Sequence, residues 1–117
     1  MSSNKKYRTV IFYKDYFEKF FVKQTQKVKD KIIWTFSLIE DIERVPETYL
    51  KHIESTEGLY EIRVKLGQDI YRVFCFFDKG KLVIAANGFQ KKTKKTPKKE
   101  IEIALRIKQE YSDEQKK

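Results

Sequence analysis

The sequence holds one cysteine, Cys75, and one histidine, His52, and each scarcity removes a class of chemistry. A lone cysteine allows no disulfide framework. Lying inside an apolar run, Cys75 reads as a buried thiol acting as a small hydrophobe in a reduced compartment. A cysteine nucleophile there would need a base beside it, and none is evident. One His and one Cys make no zinc cluster, and the spaced carboxylates of a magnesium nuclease are not apparent, so no metal and no cofactor is expected. The phosphate-cradling GxxxxGK[ST] loop is absent, as is the dinucleotide-binding glycine pattern, which argues against nucleotide hydrolysis. No stretch approaches the roughly 20 apolar residues of a membrane-spanning helix. Lys5, Lys6 and Arg8 open the chain, but Lys14, Asp15, Glu18 and Lys19 come too soon after them for a signal-peptide apolar core to form. The expectation is a cytoplasmic protein with no membrane partner.

Acidic residues are also in short supply, 17 against 26 Lys and Arg, giving a formal net charge of +9 on 117 residues. Each phosphate neutralised by a basic side chain releases condensed counterions, so this surplus points to nucleic acid. A hydrophobic content of 40% with 15% aromatic residues suffices for one compact core. One domain over 1–117 is expected, with its folded part at about 7–111.

Hydrophobic spacing predicts the elements. Tyr7 to Tyr13, with Val10 and Phe12, reads as a first strand. Tyr16, Phe17, Phe20 and Phe21 lie at helical spacing behind a capping Asp15. Val28, Ile32, Phe36 and Ile39, with Thr35 and Ile42, mark one face of a longer helix from about Gln26 to Arg44, which Pro46 ends and which should lie across the sheet. The segment from Glu47 to Gly58 has no clean period and reads as a connection with room for a helical turn. From Tyr60 the period changes to two. Tyr60, Ile62, Val64 and Leu66 form a buried face, and Leu59, Glu61, Arg63 and Lys65 alternate with them. Gly67 to Asp69 makes a turn, Ile70 to Phe77 is apolar except for Arg72, and Asp78 to Lys81 turns the chain into Leu82 to Ala86. These three strands are expected to form an antiparallel meander. Six lysines then fall between Lys91 and Lys99, before a last helix in which Thr96 would be the N-cap and Pro97 the first helical residue. The polar tail from Ser112 is expected to fray.

Alternation along a strand puts Glu61, Arg63 and Lys65 on one side of the sheet. Arg72 on the next strand is a charge among apolar neighbours, costly unless paired or facing solvent in a groove. Two readings fit. In one, Glu61, Arg63 and Arg72 form a structural ion-pair group; in the other they are a functional site. The lysine run likewise suits either a solvated loop or, between a strand end and a helix start, a phosphate contact. His52 falls in the irregular connection and reads as a surface residue.

At LYEIRVK (59–65), IYRVFCFF (70–77) and NGFQKKTKKTP (87–97) the sequence resembles the RelE/ParE toxin superfamily, in particular its HigB-like, phage-derived branch. The three segments come in that family's order, and the resemblance covers about Tyr7 to Tyr111. It implies an α+β fold of order β-α-α-β-β-β-α, with a small antiparallel-rich sheet flanked by helices. It further implies a type II toxin that cleaves messenger RNA on the ribosome without a metal. In that reaction the ribose 2′-hydroxyl attacks the neighbouring phosphorus, which requires a base, a cationic clamp and an acid. A cognate antitoxin, expected to be a helix-turn-helix protein, would hold the toxin inactive.

Carried over residue by residue, the resemblance puts Arg63 and Arg72 where relatives have basic catalytic or phosphate-binding side chains. Glu61 becomes the candidate base, and Lys91 and Lys92 fall near the scissile phosphate. Lys65, Lys94 and Lys95 are candidate RNA-binding residues, with Phe89 offering a stacking surface or a core contact. Some relatives use a His or Tyr near the chain end as general acid. This chain has no His beyond His52, which leaves the acid open among Lys91, Lys92 and Tyr71, whose ordinary pKa values of roughly 10 must shift to serve at neutral pH. Two other functions stand beside the nuclease: a ParE-like poison of DNA gyrase, and an RNA- or ribosome-binding module without catalysis.

Overall fold

A computed structural model of the chain describes residues 6–91 and 97–116. Its element order is β1 (Thr9–Phe12), α1 (Tyr16–Phe21), α2 (Gln26–Asp41), β2 (Leu50–His52), β3 (Tyr60–Leu66), β4 (Asp69–Asp78), β5 (Lys81–Lys91) and α3 (Lys98–Gln115). The fold is α+β, and the five strands form one mixed sheet in the order β1-β5-β4-β3-β2. The expected meander is present as β3-β4-β5, antiparallel throughout. The first strand adds to it in parallel, Val10 beside Leu82 and Phe12 beside Ile84.

The apolar stripe of α2 lies on one face of the sheet, as its period predicts. Val28, Ile32, Phe36 and Ile39 pack with Phe17 of α1 onto Ile62, Val64, Tyr71, Val73, Cys75, Leu82 and Ile84. Each such fully buried aliphatic side chain contributes roughly 1.5–3 kcal/mol, so this layer is the main source of stability. Thr25 caps α2 by accepting the Val28 N–H at 3.3 Å. The helix ends at Asp41, before Arg44 and Pro46, because tertiary contacts stop it. The Arg8 guanidinium donates to the carbonyls of Ile39, Ile42 and Glu43, supplying cationic donors where a helix leaves its last carbonyls unpaired.

The opposite face belongs partly to α3. Ala104 packs against Leu59 and Phe74, and farther along the helix Ile107 and Tyr111 pack against Phe76 and Tyr13. Side chains at alternate positions of β4 thus serve two cores, one on each face.

Four expectations change. The Glu47 to Gly58 segment does turn after Pro46, whose carbonyl accepts from Tyr49 and Leu50, but it then forms β2, a strand too short to display a period. The fifth strand runs to Lys91, well beyond Ala86. A register shift between Val73 and Cys75 lets β5 advance from Ile84 to Gly88 while β4 advances only two residues, so Asn87 and Gly88 are absorbed within the strand. Pro97 is the extended N-cap of α3 and not its first residue; its carbonyl accepts the first N–H groups of the helix, from Glu100 and Ile101. Thr96, the expected cap, lies outside the described residues. Finally, α3 does not fray at Ser112. Lys14 bridges Glu110 at 2.6 Å and Glu114 at 3.1 Å, and the Tyr111 hydroxyl donates to Asp78 at 2.6 Å, which ties the last turns to the sheet. In the Asp78-Lys79-Gly80-Lys81 turn, Lys79 and Gly80 both have positive φ, 50° and 83°, the backbone that a two-residue hairpin loop requires.

Candidate functional site

Register decides what the charged residues do. Arg63 on β3 is paired directly with Arg72 on β4, and Glu61 with Phe74. Paired residues project to the same side of the sheet, so Glu61, Arg63 and Arg72 share the face that α3 partly covers. Two like charges directly opposite one another would repel. Glu61 resolves this: its Oε1 accepts from Arg72 Nη1 at 3.0 Å and from Arg63 Nε at 3.2 Å.

The face was expected to be polar, with Arg72 either paired or facing solvent in a groove; it is paired and buried, Glu61 being 4% and Arg72 5% exposed. Packing of α3 beside them accounts for the burial. Ala104 covers Phe74, the pairing partner of Glu61, with Ile101 and Leu105 packed alongside. Because α3 meets Phe74 with Ala104 and Asp78 with Tyr111, its first turn, with exposed Lys98 and Lys99, lies toward the Arg72 end of the sheet.

One carboxylate against two guanidiniums leaves a net positive charge in this largely dry group. Burial lowers the Arg72 pKa from its ordinary value; Glu61 opposes the shift and Arg63 adds to it. The Arg72 Nε is buried with no hydrogen-bond partner among the described residues, an orphaned donor on a charged group. Such a donor is costly to leave unpaired, and an anion is the partner that satisfies it best. Arg63 reaches further out and lines an open recess of about 360 Å³ with Lys31, Thr48, Tyr49, Lys65 and Gly67. Lys65 is exposed at that edge.

The remaining candidates separate. Phe89 is paired with Arg72, and Lys91 with Ile70, so the backbone at both positions runs beside the arginine strand. The side chains of Phe89 and Lys91 lie outside the described parts, as do Lys92, Lys94 and Lys95 entirely. Tyr71 is not near the site. It projects into the α1/α2 core, where burial raises its pKa, and this removes it as an acid for chemistry beside Arg72. His52 is exposed, sits on β2 and contacts Tyr60 edge-on at 5.2 Å. Being paired with Tyr60, it projects to the other side from Glu61. Cys75 is fully buried and its thiol pKa is pushed well up, consistent with the packing role expected of it.

Sequence reasoning missed Lys51, which β2 pairs with Glu61 and so adds a fourth cation position on this face. Lys51 is the middle residue of a three-residue strand, too short for periodicity to resolve.

Residues 19–109 match the family described as "Phage derived protein Gp49-like (DUF891)". The chain belongs to this Gp49-like family. Through it the chain falls within the RelE/HigB-like toxin superfamily of toxin–antitoxin systems, and the matched span contains every candidate site residue. Among curated proteins no sequence match is found. As a Gp49-like protein the chain is a phage-derived toxin of the toxin–antitoxin kind, and a cognate antitoxin is its implied partner. Among the described residues no helix is long and apolar enough to cross a membrane.

Proposed function

We propose that this Gp49-like toxin is a ribosome-dependent messenger-RNA endonuclease. The observation that supports the reading is the Glu61–Arg63–Arg72 group, which carries excess positive charge and an orphaned guanidinium donor on the strand pair that the family match spans. A cationic clamp of this type stabilises charge as it develops on a phosphorane, and does so more strongly where water is excluded.

In the proposed reaction the scissile phosphate competes with Glu61 for the two guanidiniums. Released from them, the Glu61 carboxylate takes the proton of the ribose 2′-hydroxyl. The 2′-oxygen bonds to phosphorus as the bond to the 5′-oxygen breaks, giving a 2′,3′-cyclic phosphate and a 5′-hydroxyl whose proton comes from Lys91 or Lys92. Lys65, Lys94, Lys95 and Phe89 bind the flanking RNA. A fixed codon in the decoding site supplies much of the alignment, so free RNA is expected to be cut slowly or not at all.

Purified protein incubated with a reporter message, with and without translating ribosomes, tests this by primer extension of the new 5′ ends. Codon-phased cuts that require ribosomes are expected. They should fall by about 100- to 1,000-fold in Arg72→Ala and in Arg63→Ala with ribosome binding retained, the loss typical when one charge-stabilising donor is removed. Arg63 has a side chain 31% exposed, so its variant reports on chemistry even if loss of Arg72 disturbs folding. No cuts in either arm, beside an active control toxin, would overturn the proposal and move the search to gyrase inhibition or plain binding.

A further inference from the structure

A second surface adjoins the site and has no part in the chemistry above. Lys27, Lys31 and Trp34 recur along one flank of α2 at helical spacing, away from the stripe that packs on the sheet. With Asp30 and Leu66 they line an open recess of about 430 Å³. Lys31 also lines the recess that holds Tyr49, Arg63 and Lys65, so the two hollows adjoin at its side chain and together make one tract along the surface. Trp34 is 47% exposed on a helix surface, which is unusual for the largest apolar side chain. Its ring meets Tyr49 edge-on at 6.0 Å, and the Lys31 ammonium sits 4.0 Å from its centroid.

We propose that this tract, from Lys27 and Trp34 past Tyr49 to Lys65 and Arg63, binds single-stranded RNA by stacking a base on Trp34. The inference deepens the nuclease reading and rests on it for the direction of the strand, which leads from Trp34 to the Arg63–Arg72 pair. Among the described residues, four cations, Lys27, Lys31, Lys65 and Arg63, line the two recesses against a single carboxylate, Asp30. That balance suits a phosphate backbone and disfavours a basic partner. Aromatic rings set among cations are the usual means of holding unpaired bases without reading their sequence, because every base has a stacking face. The Lys31 ammonium occupies the ring in the absence of RNA and moves to a phosphate when a base takes its place. A flexible lysine makes that exchange easily. The site exists because β2 begins only at Leu50, opposite Ile62. Past Arg63 the edge of β3 that faces away from β4 has no strand beside it among the described residues, and the α2 flank stays open to solvent along that edge.

Trp34 is the chain's one tryptophan, so tryptophan fluorescence, excited selectively over the seven tyrosines, reports on this surface. Titration of the wild-type protein with hexa-adenylate RNA should give saturable quenching. Inorganic polyphosphate of equal charge and a poly-glutamate peptide should not. Anisotropy of a labelled hexamer should show binding weakened about 5- to 100-fold in Trp34→Ala and largely kept in Trp34→Phe, the range expected for loss of one stacked base. Equal quenching by polyphosphate would reduce the tract to a phosphate contact and overturn the stacking proposal. Equal quenching by poly-glutamate would overturn it in favour of an acidic protein partner. The two readings also fail separately. Quenching by RNA with no cleavage on ribosomes removes the nuclease and leaves the tract; cleavage that persists at full rate in Trp34→Ala, together with no quenching of the wild-type protein by RNA, removes the tract and leaves the nuclease.

Discussion

The two faces of the sheet are built from alternate residues of the same strands and differ in kind. Under α1 and α2 the covering is continuous and apolar, with Ile32, Ile39, Ile62, Val64 and Val73 fully buried. Under α3 it is divided: Leu59, Phe74 and Phe76 meet the helix, while Glu61 and Arg72, on neighbouring positions of the same strands, are nearly as buried but charged. The first face folds the chain. The second spends part of that stability on a dry, net-positive group, an arrangement that structural need alone does not call for, since a hydrophobic set of similar volume often serves as well or better.

Breaking the ion pair tests this most severely. Glu61→Ala leaves Arg72 buried opposite Arg63 with its counter-charge gone, and should cost about 3–5 kcal/mol in urea unfolding. Replacing both members, Glu61→Leu with Arg72→Met, should recover most of that loss while cleavage stays absent. A double variant as unstable as the single one would mean that the pair is structural cement.

On the other face Ile32→Ala should cost about 2–5 kcal/mol through the cavity it leaves, whichever residue stands at position 61. Its effect should therefore add to that of Glu61→Ala within a few tenths of a kcal/mol, since no polar group is shared. Strong coupling in a double-mutant cycle would show that the faces do not act independently.

The smallest effect sharpens the comparison at the far end of α3, where exposed charges replace buried ones. Hydrogen bonds from Lys14 and then Tyr16 hold the Glu110 pKa below its ordinary value. A carboxyl lowered in the folded state stabilises at neutral pH and loses that contribution as pH falls through the folded value. Stability should therefore decline below about pH 4.5, and Lys14→Met should flatten that part of the curve. An unchanged curve in the variant would assign the acid sensitivity to carboxylates elsewhere in the chain.

Much of the architecture was legible in residue order alone. Period two from Tyr60 to Leu66 and period 3.6 along Val28, Ile32, Phe36 and Ile39 follow from local geometry, because a side chain's direction repeats with the backbone that carries it. The single Cys and His, the +9 charge and the three motif segments bounded the chemistry in the same way, by residue type alone. Other features depend on pairs distant in sequence. The end of α2 is set by Arg8, more than thirty residues away. β2 is a strand only because β3 lies beside it, and that pairing brings Lys51 opposite Glu61. Arg72 faces Arg63, and Tyr71 faces away, because the Gly67–Gln68 turn fixes one register where a slip by a single residue would exchange them. Residue type thus determined which groups were available. Strand register and the docking of α3, both products of long-range packing, decided which of them meet and which are shielded from water.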